Sequence, residues 1–215
     1  MVETTRALMT ETCALLGYTQ SDEISLCWYS DSLKSQVYFD GRVQKMVGDL
    51  AAFASLVFNE LLVDGLPEKA GQRARFDARV WTVPNLQEVA NTFLWRELDA
   101  TKNSVSMAAS HYYSHRELQN KHGGEMQDML HAKGINWNDY PAFFKRGTFL
   151  QRRLVAKPFT SEELERLPEK HEARRNPDLV VERQVVVEVD MPPFSKVTNR
   201  VDVLLGALPL TDEDT

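Results

Sequence analysis

The chain has 215 residues, 43% of them hydrophobic and 26% charged, with 25 Lys and Arg against 31 Asp and Glu for a net charge of -6. That profile excludes a collagen, a disordered tail and a disulfide scaffold, and is that of one globular domain or one with an appendage. No uninterrupted apolar run reaches the ~20 residues of a bilayer span, and residues 1–11 lack the basic start and apolar centre of a signal peptide.

In chain order, residues 2–16 predict a helix with Leu8, Leu15 and Leu16 on one side and Gly17 as its stop. Residues 18–29 predict a strand, because Ile24, Leu26 and Trp28 alternate with Glu23, Ser25 and Cys27. Residues 30–33 turn the chain, and residues 36–39 are expected to pair back as a hairpin. Residues 42–62 carry a continuous helical stripe of Val43, Met46, Val47, Leu50, Phe53, Ala54, Val57 and Leu61. Residues 64–75 are polar, hold two Gly and one Pro, and read as a loop; residues 76–83 read as a short strand ended by Pro84.

Asn85, with Glu88 three residues on, caps a long helix reaching about residue 110. Ser114 and Glu117 repeat the capping pattern, and a further helix over 125–133 stops at Gly134. Residues 148–156 predict a strand and residues 161–166 a short charged helix. Leu179, Val181, Val185, Val187 and Val189 alternate in another strand, ended by Pro192 and Pro193, and residues 201–205 predict a last one. Strands and helices mix without regular crossovers, which predicts an α+β fold: an antiparallel sheet with helices on one face. Cys13 and Cys27 both sit among apolar neighbours, so small buried thiols in a reducing cytoplasm are expected.

Charge is unevenly placed. Residues 1–64 carry four Lys and Arg against nine Asp and Glu, whereas residues 141–175 carry nine against five. A locally basic segment can bind a polyanion even on an acidic protein, because screening acts over about 10 Å.

Four groups of residues have the composition of a site. Gln20-Ser21-Asp22-Glu23 places adjacent acids on opposite faces of a strand, and Asp22 shares parity with Ile24 and Leu26. A carboxylate on an apolar face must be paired or hold a metal; an exposed hairpin is the plain alternative. Arg42 and Lys45 share one face at a helix start, where free N–H groups favour phosphate, unless Lys45 merely pairs with Asp49. Arg96, Asp99 and Asn103, after Trp95, share a helical face as a polar site or an internal Arg96–Asp99 bridge. Lys145-Arg146-Gly147-Thr148 is a basic turn feeding a strand, followed by Arg152 and Arg153. His111, His115 and His122 imitate metal spacing, but no Cys or acidic ligand follows at zinc spacing. Gly123-Gly124 lacks the Lys and Ser/Thr of a phosphate loop, and no Gly-x-Ser-x-Gly elbow is present.

Taken in order, the chain resembles the tRNA-histidine guanylyltransferase superfamily over roughly residues 1 to 155. The resemblance rests on Gly17-Tyr18-Thr19-Gln20-Ser21-Asp22-Glu23-Ile24-Ser25, Gly41-Arg42-Val43-Gln44-Lys45, Phe76-Asp77-Ala78-Arg79-Val80, Trp95-Arg96 with Asp99 and Asn103, and Gly134-Ile135-Asn136-Trp137 leading to Lys145-Arg146-Gly147-Thr148. It implies a polymerase-palm-like domain over residues 1–156, and leaves residues 157–215 as an extension with a basic helix, a strand and an acidic tail. It also implies nucleotide addition in the 3′-to-5′ direction: a tRNA 5′-phosphate is activated with ATP and attacked by the 3′-hydroxyl of GTP. Phosphoryl transfer of this kind uses two Mg²⁺ ions.

By resemblance Asp22 is a metal-binding and catalytic carboxylate, with Glu23 beside it. Ser21, Arg42, Lys45, Asn103, Lys145 and Arg146 would bind triphosphate or the tRNA 5′ end, and Arg152 and Arg153 the tRNA backbone. A homo-oligomer, a tetramer as in relatives, is implied, and no membrane partner.

The sequence departs from the family in two places. An Asp-Gly-Arg-x-Phe-His motif, on a strand before the first helix, carries the family's other metal site, and Asp40-Gly41-Arg42 lacks the Phe-His to replace it. The sequence therefore reads as N-terminally truncated, by a start site placed too far downstream in preference to a split or engineered fragment or a degenerate member, and an unpaired sheet edge is expected beside Asp22. Thr101 stands where eukaryotic members carry His, which puts recognition of histidine tRNA in question. The alternatives are an inactive nucleotide- or tRNA-binding protein that keeps Arg42, Lys45 and Arg146, and a palm-type nucleotide cyclase.

Overall fold

The structure is a computed structural model that describes residues 1–32, 37–176 and 178–214. Its centre is one antiparallel sheet of β1 (Leu16–Gln20), β2 (Glu23–Cys27), β3 (Thr148–Pro158) and β4 (Val180–Val189), in the order β2-β1-β3-β4. Around it lie α1 (Val2–Thr12), α2 (Val43–Gly65), α3 (Leu86–Tyr112), α4 (His115–Leu118), α5 (Gly123–Ala132), α6 (Ala142–Arg146), α7 (Ser161–Arg166), α8 (Glu172–Arg175) and α9 (Arg200–Leu204). This is an α+β fold, as the pattern of elements predicts.

The alternation of strand side chains decides which helix covers which face. Leu16 and Tyr18 of β1, with Phe149 of β3, join Ala90, Phe93 and Ala100 of α3 and Val203 and Leu204 of α9 in the main core. The residues between them face the other way: Leu150 packs with Met9 of α1. Helices therefore lie on both faces of the sheet, not one. Met46, Leu50 and Ala54 of α2 pack with Leu8 of α1, which adds a second layer on the α1 side. By length and composition alone α2 is long and apolar enough to cross a membrane. Here its Met46–Leu50–Ala54 stripe serves to pack on α1.

Several boundaries differ from expectation for local reasons. The first helix stops at Thr12, where Cys13 takes a left-handed φ of 58°, and Leu16 opens a strand instead. Cys13 is consequently exposed; Cys27 lies against the core, and burial pushes its thiol up to about 12. Gly17 is a strand residue, needed because a Cβ there would lie 2.5 Å from Met9 Sδ as α1 crosses the sheet. The expected strand over 18–29 is a hairpin that reverses at Ser21 and Asp22, with Gln20 opposite Glu23.

Over the described residues 37–39 the expected return strand is not formed. Residue 36 lies outside the described residues, and Tyr38–Gly41 is a 3-10 turn whose Phe39 and Asp40 have φ of 50° and 54°. Residues 76–83 join no ladder among the described residues. Phe76, Ala78 and Val80 pack into the α2 cluster, and Ser55 Oγ accepts the Phe76 N–H at 2.9 Å. The valines expected as a last strand form α9, because Val203 and Leu204 pack together on α3. The boundary expected at residue 156 falls inside β3. Beyond it, Val189, Phe194 and Val197 share the core built on β1 and α3.

Among the described residues, β2 has no strand on its outer side. The sheet therefore ends on an open edge one residue beyond Asp22, as expected.

Candidate functional site

The site is built around the β1–β2 turn. Ser21 and Asp22 form a two-residue connection in which Ser21 has a φ of 53°. A non-glycine residue in the left-handed region costs about 1 kcal/mol. Ser21, Asp22 and Glu23 are all exposed. Asp22 thus lies in a turn and not on an apolar strand face, so the parity argument for pairing it fails. Among the described residues it makes no hydrogen bond or ion pair, whereas Glu23 forms an ion pair with Arg96 of α3. Arg96 therefore does not bridge to Asp99; it lies over the Trp95 ring at 4.9 Å and ties α3 to the turn. Asp99 instead accepts from Asn103 Nδ2 at 3.1 Å.

The Lys145-Arg146-Gly147 turn closes on the same end of the sheet. Gly147 has a φ of 76°, and a Cβ there would lie 2.6 Å from the Thr19 carbonyl oxygen and 2.7 Å from the Tyr18 hydroxyl. Only glycine lets this turn press against the end of β1. The Tyr18 hydroxyl donates to the Arg146 carbonyl at 2.8 Å, and burial raises the Tyr18 pKa. Lys145 leans across the Trp137 ring at 5.4 Å and donates to the Asn138 carbonyl. The Gly134-Ile135-Asn136-Trp137 segment is therefore the seat of the basic turn.

Glu97 is the residue the sequence reading missed. It is only 3% exposed, its carboxylate accepts the Phe194 N–H at 2.8 Å, and Arg146 Nε stands 3.7 Å from it. Burial raises its pKa to about 7, against the Phe194 N–H and Arg146, which pull it down. Glu97 and Arg146 line a cavity of about 110 Å³ with Thr148, Asp190 and Met191. The available signal was positional: Phe93, Glu97, Ala100 and Ser104 fall on one buried stripe of α3.

The remaining sequence candidates lie elsewhere or are engaged. Arg42 donates to the Phe39 carbonyl and pairs with Asp40 at 3.3 Å, while Lys45 stands 6.0 Å over the Phe39 ring. Asp49, the expected partner of Lys45, accepts the Tyr38 hydroxyl instead. Tyr38 stacks on Trp28, which follows the end of β2 remote from Asp22. No described contact joins Arg42 or Lys45 to the turn. Arg152 donates to the Ala14 carbonyl at 3.1 Å and to the Met9 carbonyl, so it satisfies the end of α1. Arg153 donates to Gln151, whose buried amide donates in turn to the Val203 and Ala207 carbonyls. Both arginines thus have intramolecular tasks.

The guanidinium of Arg146, its backbone pinned by Tyr18, and the neighbouring Lys145 are suited to phosphate oxygens. The family described as tRNAHis guanylyltransferase matches residues 1–84. A bacterial tRNA(His) guanylyltransferase (Thg1)-like protein in complex with ATP is 34% identical with a TM-score of 0.72, over 95% of this chain and 76% of that one. Its counterpart in complex with GTP is 30% identical with a TM-score of 0.66, over 96% and 76%. The tRNA(His) guanylyltransferase of Debaryomyces hansenii is 29% identical over 153 residues, 64% of this chain and 56% of that protein. The chain spans 56% to 63% of the length of the curated relatives it first matches. With both nucleotide-bound relatives matched across nearly its whole length, the chain belongs to the tRNA(His) guanylyltransferase (Thg1)-like family.

Proposed function

We propose that this chain belongs to an enzyme that adds a GTP-derived nucleotide to the 5′ end of tRNA in the 3′-to-5′ direction, after activation with ATP. The observation that carries this is the convergence of the Ser21–Asp22 turn, Arg96 and the Lys145–Arg146 turn at one end of the sheet. Relatives of the same fold, solved with ATP and with GTP, support it.

In this reading Arg146 and Lys145 hold phosphate oxygens, and Tyr18 fixes the Arg146 backbone so that little is lost in ordering it. Ser21 is exposed at the turn, and Asn103, exposed on α3, donates to Asp99. Arg42 and Lys45 form a second basic pair at the start of α2, a helix N-terminus that suits an anion. A homo-oligomer is inferred from the resemblance, and sedimentation velocity measures it.

The magnesium pair implied by the resemblance does not fit the residues described. Hard divalent ions need several oxygen ligands. Asp22 is free, but Glu23 is held by Arg96, and no group of three His, Cys, Asp or Glu is placed to ligate a metal among the described residues. The same observation favours a second reading, binding of nucleotide and tRNA without turnover.

One experiment separates the two. Labelled GTP, ATP and a tRNA lacking its 5′ nucleotide are incubated with the chain and with Asp22→Ala. Addition that Asp22→Ala abolishes supports the enzyme. GTP bound without addition supports the binding protein, and cyclic product from GTP without tRNA contradicts both.

A further inference from the structure

Glu97 occupies a core position of α3, where an apolar residue would pack at no electrostatic cost. A buried carboxylate must be paired and hydrogen-bonded to persist there. Two elements supply its partners. The Phe194 N–H, the first of the 3-10 turn Phe194–Lys196, has no partner within that turn and donates to Glu97 at 2.8 Å. Arg146, at the end of α6, brings Nε to 3.7 Å.

The rest of Arg146 is held as well. Its carbonyl accepts the Tyr18 hydroxyl at 2.8 Å, its Nη2 lies 3.5 Å from the Met191 carbonyl, and Gly147 seats its backbone against Thr19. The Arg146 side chain is 23% exposed and lines the cavity of about 110 Å³ beside Thr148. The Nε edge of the guanidinium thus faces the Glu97 carboxylate as an ion pair, beyond hydrogen-bond distance. A guanidinium has five donors, so others remain for a ligand.

We propose that Glu97 is a positioning residue: through its ion pair at Nε it orients the Arg146 guanidinium toward a phosphate of the bound ligand. The inference rests on the reading of Arg146 as a phosphate ligand. The phosphate belongs either to a nucleoside triphosphate or to the 5′ end of an RNA, and both chemistries are met by the same fork of donors. Because Glu97 also binds the Phe194 N–H, the segment after β4 is coupled to the same arginine.

A double-mutant cycle tests this with Glu97→Gln, Arg146→Ala and the two together. Gln keeps an acceptor for the Phe194 N–H and the side-chain volume, so folding is retained; thermal melting checks it. Calorimetry measures GTP in one arm, and 5′-phosphorylated against 5′-hydroxyl RNA in the other. Arg146→Ala is expected to weaken the phosphate-bearing ligand by at least about tenfold, the scale of a charge-assisted contact. Glu97→Gln is expected to weaken it about fivefold in the parent and to have no further effect beside Arg146→Ala. Loss with GTP alone assigns the triphosphate, and loss with phosphorylated RNA alone assigns the RNA end. An equal effect of Glu97→Gln in both backgrounds, or none in the parent, overturns the positioning role. Unchanged binding by Arg146→Ala overturns the underlying reading of Arg146, a different outcome.

Discussion

The Tyr18 hydroxyl donates to the Arg146 carbonyl at 2.8 Å across 128 residues of sequence, and it joins the first strand of the hairpin to the basic turn. Tyr18 is 3% exposed, so removing the hydroxyl leaves a partly buried carbonyl short of a donor. Tyr18→Phe is expected to cost about 1 kcal/mol, read as a melting point lower by about 3 °C in a chain of this size. It is also expected to weaken GTP binding, because the backbone that carries Arg146 is loosened.

Gly147 permits the same approach from the other side. Gly147→Ala places a methyl group 2.6 Å from the Thr19 carbonyl at a φ of 76°. The expected loss is about 2 kcal/mol or more, strain and clash combined. Chemical denaturation measures it. Gly41→Ala is a matched control, with a positive φ of 69° but open space around its Cβ, and is expected to lose less.

Glu97 makes stability depend on pH. Its pKa rises from 4.5 to about 7 on folding, because burial disfavours the charged form. The folded state therefore binds the proton more tightly than the unfolded state. The contribution is fully present below about pH 4.5 and is lost as pH rises through about 7. Glu97→Gln cannot ionise, so its melting temperature relative to the parent is expected to climb between pH 5 and pH 8. A difference that stays flat with pH would show that Glu97 does not titrate in this range.

Much of the hairpin and of the long helices is legible in the sequence. The α2 stripe and the Asn85 cap are placed by spacing alone, and Asn85 Oδ1 accepts the Glu88 N–H at 3.0 Å. The reversal at Ser21 is harder to see, because a two-residue turn leaves alternation nearly intact while the buried parity changes. Leu16 and Tyr18 face α3, whereas Ile24 and Leu26 face α1 and α2. Counting parity back from Ile24 through the turn therefore puts Asp22 on an apolar face that it does not occupy. The α9 valines read as a strand by composition, and tertiary packing on α3 overrides that preference. Glu97 is hidden for a related reason: its role comes from Arg146 and Phe194, which are distant in sequence. The Arg152 and Arg153 pair shows the opposite limit, since basic residues near a site read as RNA ligands until their partners are known.

Arg152 carries a prediction from its partners. It donates to the Ala14 and Met9 carbonyls, so Arg152→Ala strands acceptors at the end of α1. A loss of about 1 to 3 kcal/mol in stability is expected. The salt dependence of tRNA binding is expected to stay the same, because its slope counts phosphates neutralised. A shallower slope in Arg152→Ala would return this arginine to the RNA surface.

In the proposed function the basic turn of Lys145 and Arg146, at the end of the sheet, receives phosphate. Titrating GTP into chain labelled with ¹⁵N-glycine tests it most directly, with the 10 glycine amides as reporters. Gly147, seated between Arg146 and Thr148, is predicted to shift saturably, while Gly71 and Gly206 hold still. A Gly147 amide that does not move while GTP binds elsewhere would contradict the account.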